Sequence, residues 1–302
     1  MSAQCVIRQL KSYGYFVCGC DIYPGEWHYE TKLCDSFFQA PYATQIDQYV
    51  HFLIDTCKRL NINYIIPLTD IEIDVIDTKR ELFKEESINL CMQTSKVLKI
   101  ARNKYLLYKT FINDPTVPSI KTYLIKEIPS NFSYPCIAKP INGRSSEGLI
   151  RSASREQIMA IPDKGKYIVQ DQLVGDIYTV DYCRSAKTGQ NVAIPRIELL
   201  RTKNGAGLTV QTINDLNLIR LSSYIGDKLN INGCINFEFI RHNSDYYLID
   251  INPRFSAGIA FSFISGYDMI LNHIRCFINQ KIDEQIPIKE QIIIKRYDEV
   301  II

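Results

Sequence analysis

The segment that most constrains this chain runs from Gly233 to Arg254, GCINFEFIRHNSDYYLIDINPR. Its alternation of apolar and polar residues reads as two strands, INFEFI and YYLIDI, joined by the polar turn His242-Asn243-Ser244-Asp245, the pattern of a β-hairpin. Glu238 lies between Phe237 and Phe239, so its side chain points away from theirs. Asp250 and Asn252, two apart on the second strand, share a face. Pairing the strands therefore brings Glu238 towards Asp250 and Asn252, with Arg254 just past the strand end. An all-oxygen set of this kind suits a hard cation such as Mg²⁺, which takes carboxylates together with phosphate oxygens. Taken one acid at a time, an ordinary solvated hairpin face reads the same way. The whole set, with its Asn-Pro-Arg exit, is more particular.

Around that segment, 302 residues leave room for two or three packed units. Apolar residues at 46% and charged residues at 23% are ordinary for a globular protein. A net charge of +2 argues neither for a nucleic-acid surface nor for an acidic one. No apolar run approaches the roughly 20 residues that span a bilayer. Ten cysteines are scattered without a C-x-x-C pair and the four histidines are dispersed, which disfavours zinc and predicts reduced, mostly buried thiols in a cytoplasmic protein.

The first 94 residues alternate helix and short apolar strand. Helical spacing covers residues 2–13, 45–60 and 71–84, and strands are expected at YFVCGCDI, at Tyr64-Ile-Ile-Pro67 and at 88–92. This is the doubly wound α/β pattern. It begins, unusually, on a helix: a strand and a Gly-rich turn ordinarily come first. The expectation is an N-terminal sheet with a gap, or an unpaired edge, where that first strand belongs. Two helical segments within 95–113, followed by Pro115 and Pro118, mark the next boundary. Strands at 120–124, 136–140, 147–151 and 166–170 with a helix at 154–160 make a small lobe. Long strands, helices at 213–229 and 267–280, the hairpin and a terminal edge strand in IIIKRYDEVII complete the chain. The expected domains are 1–94, 95–172 and 173–302.

Pro135-Cys-Ile-Ala-Lys139-Pro140 is a strand ending on an isolated lysine, and an inward lysine needs a partner. The loop that follows supplies a reason. Gly143, Ser145, Ser146 and Gly148 can turn amides and hydroxyls onto one anion, with Lys139 as a point charge on the same phosphates. A flexible hairpin tip is the plainer alternative.

With IDINPR preceded by NFEF, and with Lys139 and its loop about 100 residues ahead of them, the chain resembles the ATP-grasp superfamily, nearest to its carbamoyl-phosphate-synthase large-subunit branch. The likeness covers residues 2 to about 280. It implies an α/β and α+β ATP-grasp fold behind an N-terminal doubly wound (pre-ATP-grasp) domain lacking its first strand. By that likeness Glu238, Asp250 and Asn252 hold two Mg²⁺ ions, with Mn²⁺ as a substitute, that bridge the phosphates of ATP. Arg254 steadies the transferred phosphoryl, and Lys139 and Lys104 hold the phosphates, although Asn103 replaces the acid usual before the second lysine. In YIVQDQLVG, Gln170, Asp171 and Leu173 resemble the hinge that meets adenine. The ribose glutamate of the family falls at Ile177, so either the adjacent Asp176 substitutes or ribose is held differently. Arg196 and Arg201, with Lys203, lie where relatives grip a substrate carboxylate or γ-phosphate. The small-residue loop from Ser256 to Ser262 could line the substrate pocket, and Asp181 occupies a commonly acidic strand position. Thr69, Asp70 and Glu72 either face the site or cap a helix.

The implied activity is an ATP-dependent carboxylate–amine (or carboxylate–thiol) ligase. It would act through an acyl phosphate, release ADP and phosphate, and take small-molecule carboxylate and amine substrates. A homodimer is compatible with this. Two alternatives stand beside it: phosphorylation of bicarbonate, as in carbamoyl-phosphate synthesis, and a non-catalytic ATP-binding module. No G-x-G-x-x-G follows a strand, which disfavours a dinucleotide-binding dehydrogenase.

Overall fold

Val6, Ile7 and Leu10 recur at helical spacing and are the residues that α1 (Ala3–Ser12) buries. The computed structural model describes residues 2–143 and 147–301. After α1 come β1 (Cys18–Asp21), two 3₁₀ turns, β2 (Ser36–Gln39), α2 (Ile46–Leu60), β3 (Tyr64–Ile65), α3 (Asp70–Asp77), α4 (Arg80–Glu85) and β4 (Asn89–Leu90). Val50, Ile54, Ile73, Ile76 and Phe83 form the core of this unit. Two details depart from expectation. The helix foreseen at 71–84 is broken in two near Thr78, and β2 had not been foreseen, its four residues being too few for a clear period.

The strands do not form one sheet. β1 pairs in parallel with β2, β3 pairs in parallel with β4, and among the described residues no ladder joins the two pairs. The sheet thus has the gap that the sequence predicts.

Two capped helices follow. Thr94 caps α5 (Ser95–Ala101), and Asn103 caps α6 (Lys104–Phe111) by accepting the Leu106 N–H at 2.8 Å. That explains why an asparagine precedes Lys104: a side chain that accepts at the N-cap starts the helix and sets the lysine in its first turn. The small lobe holds β5 (Thr122–Leu124), β6 (Cys136–Pro140), β7 (Ile150–Ser152), α7 (Arg155–Met159) and β8 (Tyr167–Asp171), an antiparallel sheet in the order β5-β8-β6-β7. Cys136, Ala138, Ile158 and Val169 fill it.

The large lobe carries β9 (Ile177–Arg184), β10 (Asn191–Arg201), β11 (Gly207–Thr212), α8 (Leu216–Leu229), β12 (Gly233–His242), β13 (Asp245–Asn252), α9 (Ile259–Ile264), α10 (Met269–Phe277) and β14 (Gln291–Ile294). Its six antiparallel strands run β13-β12-β9-β10-β11-β14, so β14 is the terminal edge. One face packs Tyr178, Val180, Tyr182, Phe237 and Phe239 against Leu218 and Ile225 of α8. On the other face Cys183, Val192, Ile194 and Cys234 pack under Met269, Ile270 and Ile274 of α10, and the rest is polar. That polar part carries Glu238, Asp250 and Asn252, the candidate site. All ten cysteines are free thiols.

His273 of α10 ties the large lobe to the N-terminal domain. Its Nδ1 accepts the Cys234 N–H at 2.8 Å, which leaves Nε2 to donate to the Cys91 carbonyl at 3.1 Å. No helix among the described residues is long and apolar enough to cross a membrane.

Candidate active site

The hairpin β12–β13 turns through Asn243, at φ 55°, and Ser244. Near the turn Phe239 faces Leu248; nearer the site Glu238 faces Asp250 and Phe237 faces Ile251. The register changes by one residue between Glu238 and Phe239, so β13 carries a bulge at Ile249. Its effect is chemical. Strict alternation would put Leu248, Asp250 and Asn252 on one face. The bulge keeps Leu248 and Ile251 in the apolar core and turns Asp250 and Asn252 towards Glu238.

Asn236, two residues before Glu238, faces Asn252 across the ladder. The Asn252 amide nitrogen donates to Asn236 Oδ1 at 3.0 Å and to Glu238 Oε1 at 3.3 Å. This leaves its carbonyl oxygen for another ligand. Asn236 was not foreseen as part of the site, although the N-F-E alternation already put it on the same face as Glu238.

Four cations surround these oxygens. Lys104 Nζ donates to both carboxylate oxygens of Asp250, at 2.9 and 2.8 Å. Arg201 meets Glu238 Oε2 at 3.1 Å. The Lys139 ammonium reaches the Ile249 carbonyl at 3.5 Å. Its pKa is lowered to about 8 by burial first and by Lys104 second, against the pull of Asp250 and Glu238. Arg254 pairs with Asp70 of the N-terminal domain at 2.7 Å and donates to the Phe255 carbonyl, while its Nε is buried without a partner. Asp70 is held from its other oxygen by Arg102 at 3.3 Å. Thr69 and Glu72 form a capping box on α3, so of the three residues of that loop Asp70 is the one that meets Arg254.

The phosphate-loop residues Ser145 and Ser146 lie outside the described residues. Gly143 and Gly148 both abut Pro140; a Cβ on Gly148, at φ +67°, would lie 2.8 Å from the proline ring and from the Tyr167 hydroxyl. At the hinge, Gln170 is buried and donates to Thr122 Oγ1 at 2.7 Å. Gln170 also borders a small cavity shared with Lys104, Tyr108, Leu248 and Ile249. Asp171 and Leu173 are half-buried and Asp176 is exposed. The Asp176 carbonyl accepts the Arg241 N–H at 3.0 Å, and a Cβ on Gly175 would fall 1.8 Å from the Arg241 carbonyl oxygen. Hinge and hairpin therefore touch through backbone.

On the expected substrate side the residues are engaged with one another. Arg196, expected to grip a substrate anion, is 3% exposed and donates to Asp181 at 2.6 Å, Glu198 at 3.1 Å and Ser256 at 3.2 Å. Ser262 donates to the same Asp181 oxygen at 2.7 Å. Arg196 thus borders the cavity with its nitrogens already held, Ser256 being one of its anchors. Arg201 bonds Glu238 and the Gly205 carbonyl, and Lys203 is exposed. The segment expected as a small-residue loop from Ser256 becomes helical at Ile259.

A cavity of about 1280 Å³ lies between the N-terminal domain and this face, bordered by Glu238, Asn252, Arg254 and Ser256 on one side.

Residues 163–300 match the family described as ATP-grasp in the biosynthetic pathway with Ter operon, and residues 30–91 match the PylC-like N-terminal domain. The chain is similar to the biotin carboxylase domain dimer of Hydrogenobacter thermophilus 2-oxoglutarate carboxylase, a complex with MgADP, ADP and bicarbonate. Identity is 16% and TM-score 0.78, over 94% of this chain and 69% of that one. It is also similar to Staphylococcus aureus N5-carboxyaminoimidazole synthetase complexed with ADP, at 13% identity and TM-score 0.73, over 96% of this chain and 78% of that one. N5-carboxyaminoimidazole ribonucleotide synthetase from Thermotoga maritima is similar at 14% identity and TM-score 0.69, over 94% and 75%. At these identities the likeness is one of fold.

Proposed function

Because the chain belongs to the ATP-grasp superfamily, we propose that it is an ATP-dependent ligase that activates a carboxylate as its acyl phosphate and passes it to an amine. The observation that carries this reading is the pairing of Glu238 with Asp250 on one sheet face, with the Lys139 ammonium directed at the same hairpin.

The donor set fits Mg²⁺. Glu238 and Asp250 face one another across the ladder beside the Asn252 amide, whose nitrogen meets Glu238 and whose oxygen remains to serve a cation. Among the described residues no third acid, histidine or cysteine joins the carboxylates. Phosphate oxygens and water would complete the shell, as Mg²⁺ prefers. Bound there, Mg²⁺ would neutralise charge on the β- and γ-phosphates.

The chain's own residues would position and hold charge. Lys139 and Lys104 hold phosphate oxygens, which requires Lys104 to share or release Asp250. Arg254 offers its unpartnered Nε to the moving phosphoryl, while Asp70 and the Phe255 carbonyl fix its other nitrogens. Gln170 and Leu173 border adenine. In the first step a carboxylate oxygen bonds to the γ-phosphorus and the bond to the bridging β–γ oxygen breaks, releasing ADP. In the second, an amine nitrogen bonds to the acyl carbon, the C–O bond to phosphate breaks, and the amine gives up a proton. Pairing of two copies, as in the biotin carboxylase domain dimer, belongs to this reading as well.

A second reading rests on the ion pairs Lys104–Asp250 and Arg201–Glu238, which satisfy both carboxylates without a metal: a nucleotide-binding module that does not turn over. Release of ADP and phosphate, screened over amino acids, small carboxylates and bicarbonate with mass spectrometry of the product, separates the two. Mg²⁺-dependent ADP formation with one acid supports the ligase. Tight ATP binding without ADP formation over the whole panel supports the module.

A further inference from the structure

Arg102-Asn103-Lys104, the joint between α5 and α6, is met by all three parts of the fold. The Arg102 guanidinium lays one edge on Asp74 of α3, with Nε donating to Oδ1 and Nη2 to Oδ2, both at 3.0 Å. Its third nitrogen, Nη1, donates to Oδ1 of Asp70 at 3.3 Å, and the other oxygen of Asp70 accepts Nη2 of Arg254 at 2.7 Å. Two residues on, Lys104 holds both oxygens of Asp250 at 2.9 and 2.8 Å. The Lys104 backbone N–H donates at 2.9 Å to the carbonyl of Ile141, just past β6. One short stretch of chain therefore meets the N-terminal domain, the start of the glycine loop and the active-site hairpin.

The network is built around its buried acid. Asp74 is exposed, and an exposed ion pair contributes little on its own. Asp70 is buried, and it is the carboxylate placed between two guanidiniums, one on each oxygen, which fixes its plane. Arg254 is fixed in turn, Nη2 by Asp70 and Nη1 by the Phe255 carbonyl at 3.1 Å, while its Nε is buried without a partner. A planar guanidinium with two nitrogens held keeps the third in one direction, so this donor is aimed before any ligand arrives.

We infer that Arg102 is a positioning residue for phosphoryl transfer: it holds Asp70, and Asp70 holds Arg254 with Nε towards the transferred phosphoryl. This rests on the ligase reading above and adds to it a residue that acts through another. Because Lys104 opens the helix that begins beside Arg102, the same joint places both the phosphate-holding lysine and the phosphoryl-facing arginine.

The test uses the full chain and the variants Arg102→Ala, Arg102→Lys and Asp74→Asn. Each is titrated calorimetrically with MgADP alone and with MgADP plus aluminium fluoride, a mimic of the transferred phosphoryl. The Arg254 Nε–H is followed by nuclear magnetic resonance, its signal assigned through Arg254→Lys. In the native chain aluminium fluoride is expected to tighten MgADP and the Nε–H to give one sharp signal. Arg102→Ala is expected to broaden or shift that signal and to weaken the fluoroaluminate complex about tenfold or more, with the affinity for MgADP alone little changed. Lysine keeps the charge but cannot grip Asp74 as a fork and reach Asp70 at once, so Arg102→Lys should recover only part of the loss. It also carries the test if the alanine variant does not fold. Asp74→Asn, which leaves Nη1 on Asp70, should weaken the complex far less. An Nε–H signal unaltered by either substitution of Arg102 would overturn the inference. So would equal losses of affinity for MgADP and for the fluoroaluminate complex, or an effect of Asp74→Asn as large as that of Arg102→Ala. Where aluminium fluoride does not tighten MgADP in the native chain, this inference falls; the ligase reading falls with it only if the acid screen also yields no ADP.

Discussion

At Lys139 a charge is held where burial disfavours it, and the nearby carboxylates only partly offset that. With its pKa lowered to about 8, the ammonium form, to which the proposed function assigns the phosphates, predominates below that pH and is lost as pH rises through it. KM for ATP is therefore expected to rise above about pH 8. Lys139→Arg, whose guanidinium stays charged, should flatten the dependence. The acids make a second residue-scale prediction. Glu238→Gln and Asp250→Asn keep shape and remove charge, and each is expected to lower the rate of ADP formation on the order of 10²-fold or more, with the thermal midpoint little changed. Unaltered turnover in both variants would remove the metal assignment. That Glu238 meets Asp250 and Asn252 on one hairpin could be read from strand alternation and residue chemistry alone. That Arg196 serves Asp181 and Ser256 could not, because these partners lie 15 and 60 residues away in the chain, although Glu198, two residues on along β10, was within reach of alternation.

Elements behave differently from residues, since a strand's period can be read and its irregularities cannot. The hairpin β12–β13 follows the alternation of its sequence, yet the bulge at Ile249 breaks it, because Leu248 belongs to the core and Asp250 to the site. Deleting Ile249 should force one of the two onto the wrong face. The expected outcome is loss of metal-dependent ADP formation together with a lower thermal midpoint. Gly175 is a matching case at the hinge. A methyl group there would sit 1.8 Å from a backbone oxygen of β12, so Gly175→Ala must part the hinge from the hairpin. Overpacking of this kind costs about 1–3 kcal/mol. The expected result is a raised KM for ATP with a modestly lower denaturation midpoint; an unchanged KM would show that the hinge position is immaterial to nucleotide binding.

For the whole molecule, the joint between the N-terminal domain and the large lobe rests on Asp70–Arg254 and on His273. Burial lowers the His273 pKa from 6.5 to about 4, and Nδ1 accepts a backbone N–H, so the ring is neutral in the fold. The unfolded chain takes a proton near pH 6.5 and the folded one only near 4. The stability this histidine contributes is thus complete above about 6.5 and is lost as pH falls towards 4, with a slope of up to about 1.4 kcal/mol per pH unit. Urea midpoints measured at pH 7 and 4.5 should fall more for the native chain than for His273→Gln. Equal falls would mean that the joint does not titrate.

Local chemistry already determined the alternating helices and strands, the hairpin with its oxygen donors, and the lysine before a glycine loop. Each of these depends on neighbours within a few residues, where periodicity and turn chemistry act. Tertiary structure alone decided that a bulge re-aims Asp250 and that Asp70 meets Arg254 across 184 residues. Those outcomes depend on which surfaces meet when the domains close, and no pattern along the chain encodes that meeting directly.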